Sequence, residues 1–352
     1  LNALFNCNHF NEHEVFIFND APNPDKENDE NKVYVVREYL NSLVNTGCHT
    51  NIHLDFFASH MGSKNAVISG ITKIINEYGT VIDIEDDVVV SQDFLDFMDD
   101  GLEFFKNDEK VWSIAGLNQL PGNIDTAAST YFLKRTCSTG FAVWKDRWNK
   151  VDFEIGDYLE FKNNRTKQDK LSEIGYDMPF AIMQYKDFYV DAWDIQFCYA
   201  ASCNDAYTVY PKKSKCIHIG EFGTHFNGTN IQQQEYNQKS DYYNFSDCQY
   251  DEKINELNRS MFMEKSKFRY LDDIIREDKM KYYYLLSDKW MTLRDKNISI
   301  EKKLINQNIH KIAIYGCGAF SRHLIAELNK TNIEVLYMVD KREMESFENI
   351  KV

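Results

Sequence analysis

Apolar and polar positions alternate along the first third of the chain with two different periods. Short runs rich in β-branched and aromatic residues are typical of buried strands, and longer segments with apolar residues at every third or fourth position are typical of helices that pack on a sheet. The strand-like runs are residues 15–18, 51–56, 81–84 and 111–116, and the helix-like segments are residues 33–44, 65–78 and 94–105. This alternation predicts an α/β fold with a mixed, mostly parallel sheet and flanking helices.

The pattern changes twice after residue 116. The chain becomes less regular and rich in aromatic side chains, and then charged and tyrosine-rich with helical spacing. Near the end, a strand, a Gly316-Cys317-Gly318 turn, a helix and a second strand that ends at Asp340 are typical of the start of a Rossmann-like βαβ unit. The predicted regions are an α/β domain over residues 1–230, a helical linker over 231–307 and a partial Rossmann-like domain over 308–352.

The composition narrows the classes of function. The 352 residues are 43% hydrophobic, which is enough for substantial cores, and the formal net charge is −15. That charge disfavours nucleic acid as a partner, because phosphate backbones require clustered lysine and arginine. The eight cysteines show no zinc-ligand spacing and indicate reduced thiols. No apolar run reaches the ~20 residues that a bilayer span requires, so we expect a cytoplasmic protein.

The strongest chemical signal is the run Glu85-Asp86-Asp87, which directly follows the apolar strand at residues 81–84. Ligands of open α/β sheets bind at the carboxyl ends of strands, which is where this run places its carboxylates. Three adjacent carboxylates repel one another unless a cation or hydrogen-bond donors offset their charge. The run predicts either a divalent-metal site that holds a phosphate-bearing substrate or a solvated acidic turn between two strands.

Further positions carry candidate chemistry, each with a structural alternative. Asp20 ends the first strand and could accept hydrogen bonds from a base or ribose, or it could cap a turn or helix. Asp191 and Asp194 flank Trp193 at the start of a helix, where one carboxylate could act as a general base or as a helix cap. His225 lies in a glycine-punctuated loop and could reach a metal or a diphosphate, or the loop could be an ordinary surface loop.

Several motifs follow one another in a fixed order over residues 1–228. They are Ile17-Phe18-Asn19-Asp20-Ala21-Pro22, His60-Met61-Gly62-Ser63-Lys64, Ile84-Glu85-Asp86-Asp87, Gly140-Phe141-Ala142-Val143-Trp144-Lys145-Asp146-Arg147-Trp148, Asp191-Ala192-Trp193-Asp194 and the segment from Pro211 to His225. Each motif is weak alone. The ordered set resembles the GT-A glycosyltransferases of the N-acetylglucosaminyltransferase I-like group, including their bacterial sugar-transferase relatives.

The resemblance implies a metal-dependent, inverting transfer of a sugar from a nucleotide-diphosphate donor, with a UDP-sugar expected. Asp87 would coordinate Mn²⁺ or Mg²⁺, and His225 is a further candidate ligand. The residues implied to bind the nucleotide sugar are Asp20, Lys64, Glu85, Asp86, Gly140 and Trp193. The catalytic base would be Asp191 or Asp194. Relatives vary in which of these two positions is acidic, so the choice stays open with a slight preference for Asp191.

The resemblance also implies a strand that the sequence lacks. In the family a first strand carries nucleotide contacts near a Tyr-Asn-Arg-like segment, and no such segment precedes the motif around Asp20. We expect that strand to lie upstream of residue 1. The chain from about Tyr282 onward is similar to the helical-plus-Rossmann-like appendage of some bacterial glycosyltransferases.

The expected partners are a nucleotide-sugar donor and a glycan, lipid-linked or protein acceptor, in bacterial surface polysaccharide or glycoconjugate synthesis. Peripheral association with the inner face of the membrane is one option, and the oligomeric state stays open. Two alternatives are a nucleotide-dependent oxidoreductase or epimerase that uses the Gly316-Cys317-Gly318 turn with Asp340, and a non-catalytic nucleotide-sugar-binding module. A metal-dependent phosphohydrolase would require ligands that the sequence does not place.

Overall fold

The computed structural model describes residues 1–46, 50–120, 124, 126–188, 192–220, 236–262, 286–288, 290–296, 298–340 and 345–352. The chain divides into two compact units, Leu1–Arg269 and Tyr270–Val352, and each is described by itself. Among the described residues, no helix combines the length and the apolar character needed to cross a bilayer.

Helices and strands alternate in the first half of the first unit, and helices cluster in its second half. The helices are α1 (Asn2–Phe5), α2 (Asp29–Asn45), α3 (Gly62–Tyr78), α4 (Phe94–Phe105), α5 (Lys145–Trp148), α6 (Tyr158–Asn163), α7 (Arg165–Ser172), α8 (Met178–Phe188), α9 (Asp194–Cys203) and α10 (Glu252–Met261). The strands are β1 (Val15–Asn19), β2 (Ile52–Phe56), β3 (Thr80–Asp83), β4 (Val88–Val90), β5 (Val111–Ala115), β6 (Thr130–Leu133), β7 (Phe141–Trp144), β8 (Tyr207–Pro211), β9 (Cys216–His218) and β10 (Gln249–Tyr250).

A mixed six-stranded sheet in the order β10-β6-β8-β5-β7-β3 forms the centre of the first unit. β5 is parallel to β8 and β6 to β10, whereas β7 is antiparallel to β3 and β5, and β6 is antiparallel to β8. Two pairs lie outside this sheet, namely the parallel pair β1-β2 and the antiparallel pair β4-β9. The predicted α/β class and mixed sheet are confirmed, but the central sheet has more antiparallel than parallel pairs, contrary to the prediction.

The core of the first unit surrounds β5 and β7, whose residues are all buried. Strands that are covered on both faces are rich in apolar residues, as both runs are, and the one polar side chain, Ser113, shares a hydrogen bond with the Thr208 hydroxyl at 2.8 Å. Helix α4 packs its apolar stripe here, and Phe94, Phe97 and Met98 are fully buried because positions three and four apart share one helical face. Burial of each such side chain contributes about 1.5–3 kcal/mol. This packing fixes β7, and through it the position of β3.

An ion pair between Asp93 and Lys215 lies between the end of β4 and the start of β9, with side chains only 6% and 2% exposed. Asp93 also accepts from the Ser91 hydroxyl at 2.6 Å and from the backbone N–H of Asp241 at 3.0 Å. The Lys215 ammonium donates to the Asp241 carbonyl at 2.8 Å. Buried charges are tolerated when their remaining donors and acceptors are satisfied. The network therefore holds the chain at Asp241 against the β4-β9 pair.

The predicted helical linker over residues 231–307 differs from the structure at its start. Residues 249–250 form β10, which pairs with β6, and Ile254 of α10 lies in a buried cluster with Tyr131 and Tyr210. The Asp251 carboxylate caps α10 through the backbone N–H groups of the next turn. This part of the range belongs to the first unit, whereas residues 286–288 and 290–295 are helical, as the spacing predicted.

The second unit contains a strand–helix–strand motif, as predicted. Its elements are α11 (Ile300–Asn306), β11 (Lys311–Tyr315), α12 (Ala319–Leu328), β12 (Glu334–Val339), β13 (Ser346–Phe347) and β14 (Ile350–Lys351). β11 and β12 are parallel, and α12 connects them. A small core of Ile314, Ile325, Leu328, Ile333 and Met338 holds the motif together.

Candidate functional site

A cavity of about 2590 Å³ opens in the first unit. Its wall includes β1, β3, the inner face of α3, the acidic run after β3, the start of α9 and the end of β9. Carboxylates outnumber cationic side chains on this wall. The acidic end of the cavity lies where β3 ends, because an apolar strand stops there and polar residues follow.

The acids after β3 are grouped by a tight turn. Asp83 is the last residue of β3, Glu85 and Asp87 are half-buried, and Asp86 is exposed. The Val88 N–H donates to the Glu85 carbonyl at 3.2 Å, which closes the turn and starts β4. Three adjacent acids thus lie between two apolar strands, and all three line the cavity.

Burial makes the carboxyl groups of Asp83 and Glu85 hold protons more tightly than free carboxylic acids do. It raises the pKa of Asp83 to about 7. Burial, followed by the charges of Asp83, Asp87, Asp194 and Asp86, raises the pKa of Glu85 to about 8. Neither Asp83 Oδ2 nor Asp87 Oδ1, both buried, has a hydrogen-bond partner among the described residues. Buried oxygens in this state favour a proton or a cation nearby.

His218 lies against this acidic group. Its Nε2 is 2.9 Å from Asp87 Oδ2, and it faces Val88 across the β4-β9 pair. The Ile219 N–H donates to the Asp87 carbonyl at 2.8 Å. A Cβ at Gly220 would lie 2.4 Å from Asp87 Oδ2, so only glycine fits there without movement. The pairing thus places an imidazole and an acid together at the mouth of the cavity.

The sequence places His218 and His225 in one glycine-punctuated loop that could close over a ligand, and it predicts a metal contact only for His225 and no role for Asp83. His225 lies outside the described residues. Asp83 was counted as the end of an apolar strand, yet it is as much a part of the acidic group as Glu85. The signal that could have found His218 is the antiparallel pairing of β4 with β9, which sequence spacing alone does not give.

In the structure Asp20 caps a helix, which is the alternative to a nucleotide contact that its sequence position allowed. Its carboxylate accepts from the backbone N–H groups of Met61 at 2.9 Å and Gly62 at 3.0 Å, at the start of α3. His60 Nδ1 lies 2.8 Å from Asp20 Oδ2. These contacts cap α3 from a distant strand. Asp20 also lines the cavity, so the predicted nucleotide contact stays a prediction.

Three predicted donor-binding residues lie away from the cavity wall. Lys64 donates to the Tyr185 hydroxyl at 2.6 Å, outside the lining residues. Gly140 is buried, and a Cβ there would lie 2.9 Å from the sulfur of Cys216. Trp193 is only 4% exposed and packs 5.3 Å from the ring of Phe141. In the structure the Lys64 ammonium is paired and the other two positions serve packing, while their neighbours Ser63, Thr139 and Asp194 line the cavity, so these three donor contacts stay predictions.

Of the two candidates for the catalytic base, the structure describes only Asp194. Asp191 lies outside the described residues. Asp194 is the first residue of α9, is half-buried and lines the cavity close enough to Glu85 to influence its pKa. A carboxylate at a helix N-terminus is stabilised in its charged form by the helix dipole.

Arg135 is a cavity residue that the sequence analysis missed. Its guanidinium is bidentate to Asp177, at 2.7 and 3.0 Å, and stacks 3.7 Å from the centre of the Phe262 ring. Arginine in such a fork geometry binds carboxylate and phosphate oxygens equally well. Arg135 is the one lysine or arginine among the described residues that line the cavity.

The described side chains of the acidic group do not form a metal site by themselves. Within the described part of the chain, no set of three or more histidine, cysteine, aspartate or glutamate side chains is arranged to hold a metal ion by itself. Mg²⁺ and similar cations commonly use one or two protein carboxylates and take their other ligands from substrate phosphates and water. The partnerless oxygens of Asp83 and Asp87 fit such a site.

The Asp340 side chain bonds to the glycine turn of the second unit. The Cys317 N–H donates to Asp340 Oδ2 at 2.7 Å, and Gly316 has a φ of +93°. The acid that would bind a ribose hydroxyl in a dinucleotide site therefore bonds its own turn.

No protein-family model matches the chain, and a search of curated proteins returns no significant match. The function is therefore inferred from the site itself.

Proposed function

We propose that the first unit is a GT-A glycosyltransferase that transfers a sugar from a nucleotide-diphosphate donor, expected to be a UDP-sugar, to a hydroxyl acceptor. The observation that carries the proposal is the convergence of Asp83, Glu85, Asp87 and Asp194 at one end of a large cavity, with two buried oxygens that lack partners. A divalent cation would offset the charge of these carboxylates in their ionised forms, and a diphosphate can share such a cation with them.

The acids of the turn would hold Mn²⁺ or Mg²⁺ through Asp87, with Asp83 and Glu85 close by. When bound, such a cation would offset the negative charge that develops on the departing diphosphate. His218, held against Asp87, would orient that carboxylate. The remaining ligands would come from the donor and from water, because the described side chains do not complete a shell.

The carboxylate of Asp191 or Asp194 would act as the general base. It would take the proton of the acceptor hydroxyl as that oxygen forms a bond to the anomeric carbon, while the bond from this carbon to the diphosphate oxygen breaks. Attack from the opposite face inverts the configuration. A base of this kind typically contributes 10²–10⁴-fold to the rate. The position of Asp194 on the cavity wall supports its candidacy.

Titration calorimetry with UDP and a panel of UDP-sugars, with and without Mn²⁺, tests the proposal. We expect binding that depends on the metal, and its loss in Asp87→Asn. Asp99→Asn is the matched control, because Asp99 also lines the cavity but lies on α4 and pairs with His13 at 3.1 Å. Binding that is independent of metal, or that Asp87→Asn leaves unchanged, would contradict the proposal.

The catalytic step has its own test. Asp191→Asn and Asp194→Asn should each bind UDP with Mn²⁺, and the variant that lacks the base should lose donor hydrolysis or transfer by at least about 100-fold. Full activity in both variants would show that the base is elsewhere. Donor binding without any turnover in the unmodified protein would favour the non-catalytic binding module. Tight NAD binding without UDP-sugar binding would favour the oxidoreductase or epimerase.

A further inference from the structure

Asp194, a candidate for the catalytic base, lies close to two groups of opposite charge on the cavity wall. Burial and then the charges of neighbouring acids, Asp194 among them, raise the pKa of Glu85. Burial lowers the pKa of Arg135, but the nearby carboxylates of Asp177 and Asp194 outweigh burial and raise that pKa. The cavity therefore continues from the acidic group past Asp194 to Arg135, and all three line it.

Helix α10 and the residues after it form the wall of the cavity beside Arg135. The Gln119 side-chain amide donates to Asn258 of α10 at 2.8 Å, and the Phe262 ring stacks 3.7 Å from the Arg135 guanidinium. A pocket with apolar side chains and a few placed polar groups suits a small polar ligand such as a sugar ring. We call this part of the wall the arginine end, and it consists of Gln119, Arg135, Ser260, Met261 and Phe262.

The positive member of an ion pair lines the cavity, and the negative member does not. Arg135 is a lining residue, whereas its counter-ion Asp177 is outside the lining residues. Of the five N–H donors of the guanidinium, Nη1 and Nη2 each use one on Asp177. The Nε–H has no hydrogen-bond partner among the described residues. The Nε edge of the fork is therefore left to bind a second carboxylate or a phosphate.

We propose that the arginine end is the acceptor subsite of the transferase, and that it takes a sugar whose carboxylate or phosphate group binds Arg135. The inference rests on the proposed function, because a base at Asp194 requires the acceptor hydroxyl within hydrogen-bond reach. An acid group elsewhere along the described wall would face mainly carboxylates, which repel it. Arg135 thus selects an acidic sugar over a neutral one.

Three sugars that differ in one group are the probes. They are methyl glucoside, methyl glucuronide, and methyl glucoside phosphorylated on its primary hydroxyl. Titrations of the full chain in chelator, followed by NMR of the methionine methyl groups, measure affinity and exclude a carboxylate bound through a metal. We expect one of the acidic sugars to bind at least about tenfold more tightly than the neutral one, and the tighter of the two identifies the acid group. The methyl signal of Met261 should shift, and that of the fully buried Met98 should not.

Two variants remove or displace the guanidinium, and a third is their control. Arg135→Gln combined with Asp177→Asn replaces the ion pair with two amides that can still bond to each other, and it should abolish the preference for the acidic sugar. Gly175→Ala keeps the charge, but its Cβ would overlap Nη1 of Arg135 and displace it, so binding should weaken at least about tenfold. Lys134→Gln removes the same charge from the adjacent residue, which pairs with Glu173 outside the lining residues and should leave the preference unchanged.

Several outcomes overturn the proposal. Equal affinity for all three sugars does so, as does a preference that the double variant and Gly175→Ala both retain, which would leave Arg135 a purely structural role. UDP with Mn²⁺ should leave the acidic sugar bound, since donor and acceptor must be bound together for transfer. Displacement of the sugar by UDP would assign Arg135 to the donor diphosphate and so overturn an acceptor subsite. Absence of UDP binding would refute the proposed function, and it is a separate readout from the sugar titrations in chelator.

Discussion

Individual carboxylates of this protein behave according to what surrounds them, and sequence alone does not reveal it. Asp20 and Asp83 both end apolar strands, but Asp20 accepts backbone hydrogen bonds while Asp83 has a buried oxygen without a partner among the described residues. Burial raises the pKa of Asp83 to about 7. Two residues with the same sequence context therefore have different surroundings and different roles.

The raised pKa values of Asp83 and Glu85 make stability depend on pH when no divalent cation is present. Both groups hold protons more tightly in the folded chain, so folded protein binds more protons than unfolded protein between about pH 4 and pH 8. Stability should therefore fall as the pH rises through this window. We expect Glu85→Gln to reduce that fall by at least about 1 kcal/mol, as measured by urea unfolding in chelator.

Mn²⁺ should also flatten this pH dependence, because a bound cation stabilises the charged carboxylates. Asp99→Asn serves as the control, since Asp99 lies on the same cavity but is half-exposed and paired with His13. An equal pH slope in Glu85→Gln and in the unmodified protein would contradict the burial of this carboxylate.

At the scale of elements, several ends are fixed by hydrogen bonds between residues that are distant in sequence. Asp20, at the end of β1, holds the start of α3 through the N–H groups of Met61 and Gly62. Gly116 donates to the Gly140 carbonyl at 2.7 Å and so connects the end of β5 to the start of β7. Such contacts decide where elements meet, and local periodicity carries no information about them.

Asp20→Ala should lower the free energy of unfolding by about 1–2 kcal/mol, because it leaves N–H groups at the start of α3 without their acceptor. Urea unfolding measures the change. Asp20→Asn should retain part of the cap, since an amide oxygen can still accept. If Asp20 also contacts the nucleotide, Asp20→Asn should weaken UDP binding. An unchanged stability in Asp20→Ala would contradict the capping role.

Gly140→Ala and Gly79→Ala separate backbone strain from crowding. Both glycines have positive φ, +59° at Gly140 and +85° at Gly79, so alanine costs about 1–2 kcal/mol at each. A Cβ at Gly79 meets no atom within 4 Å, whereas one at Gly140 would lie 2.9 Å from the sulfur of Cys216. Gly140→Ala should therefore cost about 1–3 kcal/mol more in thermal or urea unfolding. Equal costs would contradict the crowding.

The sequence predicted the elements of residues 15–116 well, because those strands and helices have clear and different periods. It could not give strand direction: β7 is antiparallel to both of its neighbours, and direction depends on pairing between distant segments. The acidic run was found because three adjacent carboxylates after a strand are unusual. Asp83 and Arg135 were missed, since they join the cavity only through the folded sheet. Gly140 and Trp193 are buried in the structure, and sequence alone does not separate packing residues from ligand-binding residues because both use the same amino acids.

For the whole molecule, the division into two units indicates where the chemistry lies. Every described residue that lines the cavity belongs to Leu1–Arg269. The second unit has its own small core and a glycine turn bonded to its own acid. The proposed activity therefore depends on the first unit.

A chain that ends at Arg269 should keep metal-dependent UDP binding. We expect a dissociation constant within a factor of about three of the full chain, a difference of about 0.7 kcal/mol, because no lining residue is removed. Calorimetry measures the affinity, and circular dichroism checks that the shorter chain is folded. A folded shorter chain that no longer binds UDP would place part of the site in the second unit.

The acidic turn between β3 and β4 also matters before the chain has folded. Residues 81–84 and 88–90 are short, β-branched runs with no charge apart from Asp83, the composition that promotes intermolecular β-aggregation. Glu85, Asp86 and Asp87 lie between the two runs. Their like charges prevent the runs from forming one continuous aggregation-prone segment in the nascent polypeptide. The same carboxylates that repel one another in the folded cavity are therefore expected to reduce aggregation of the chain while it is being synthesised.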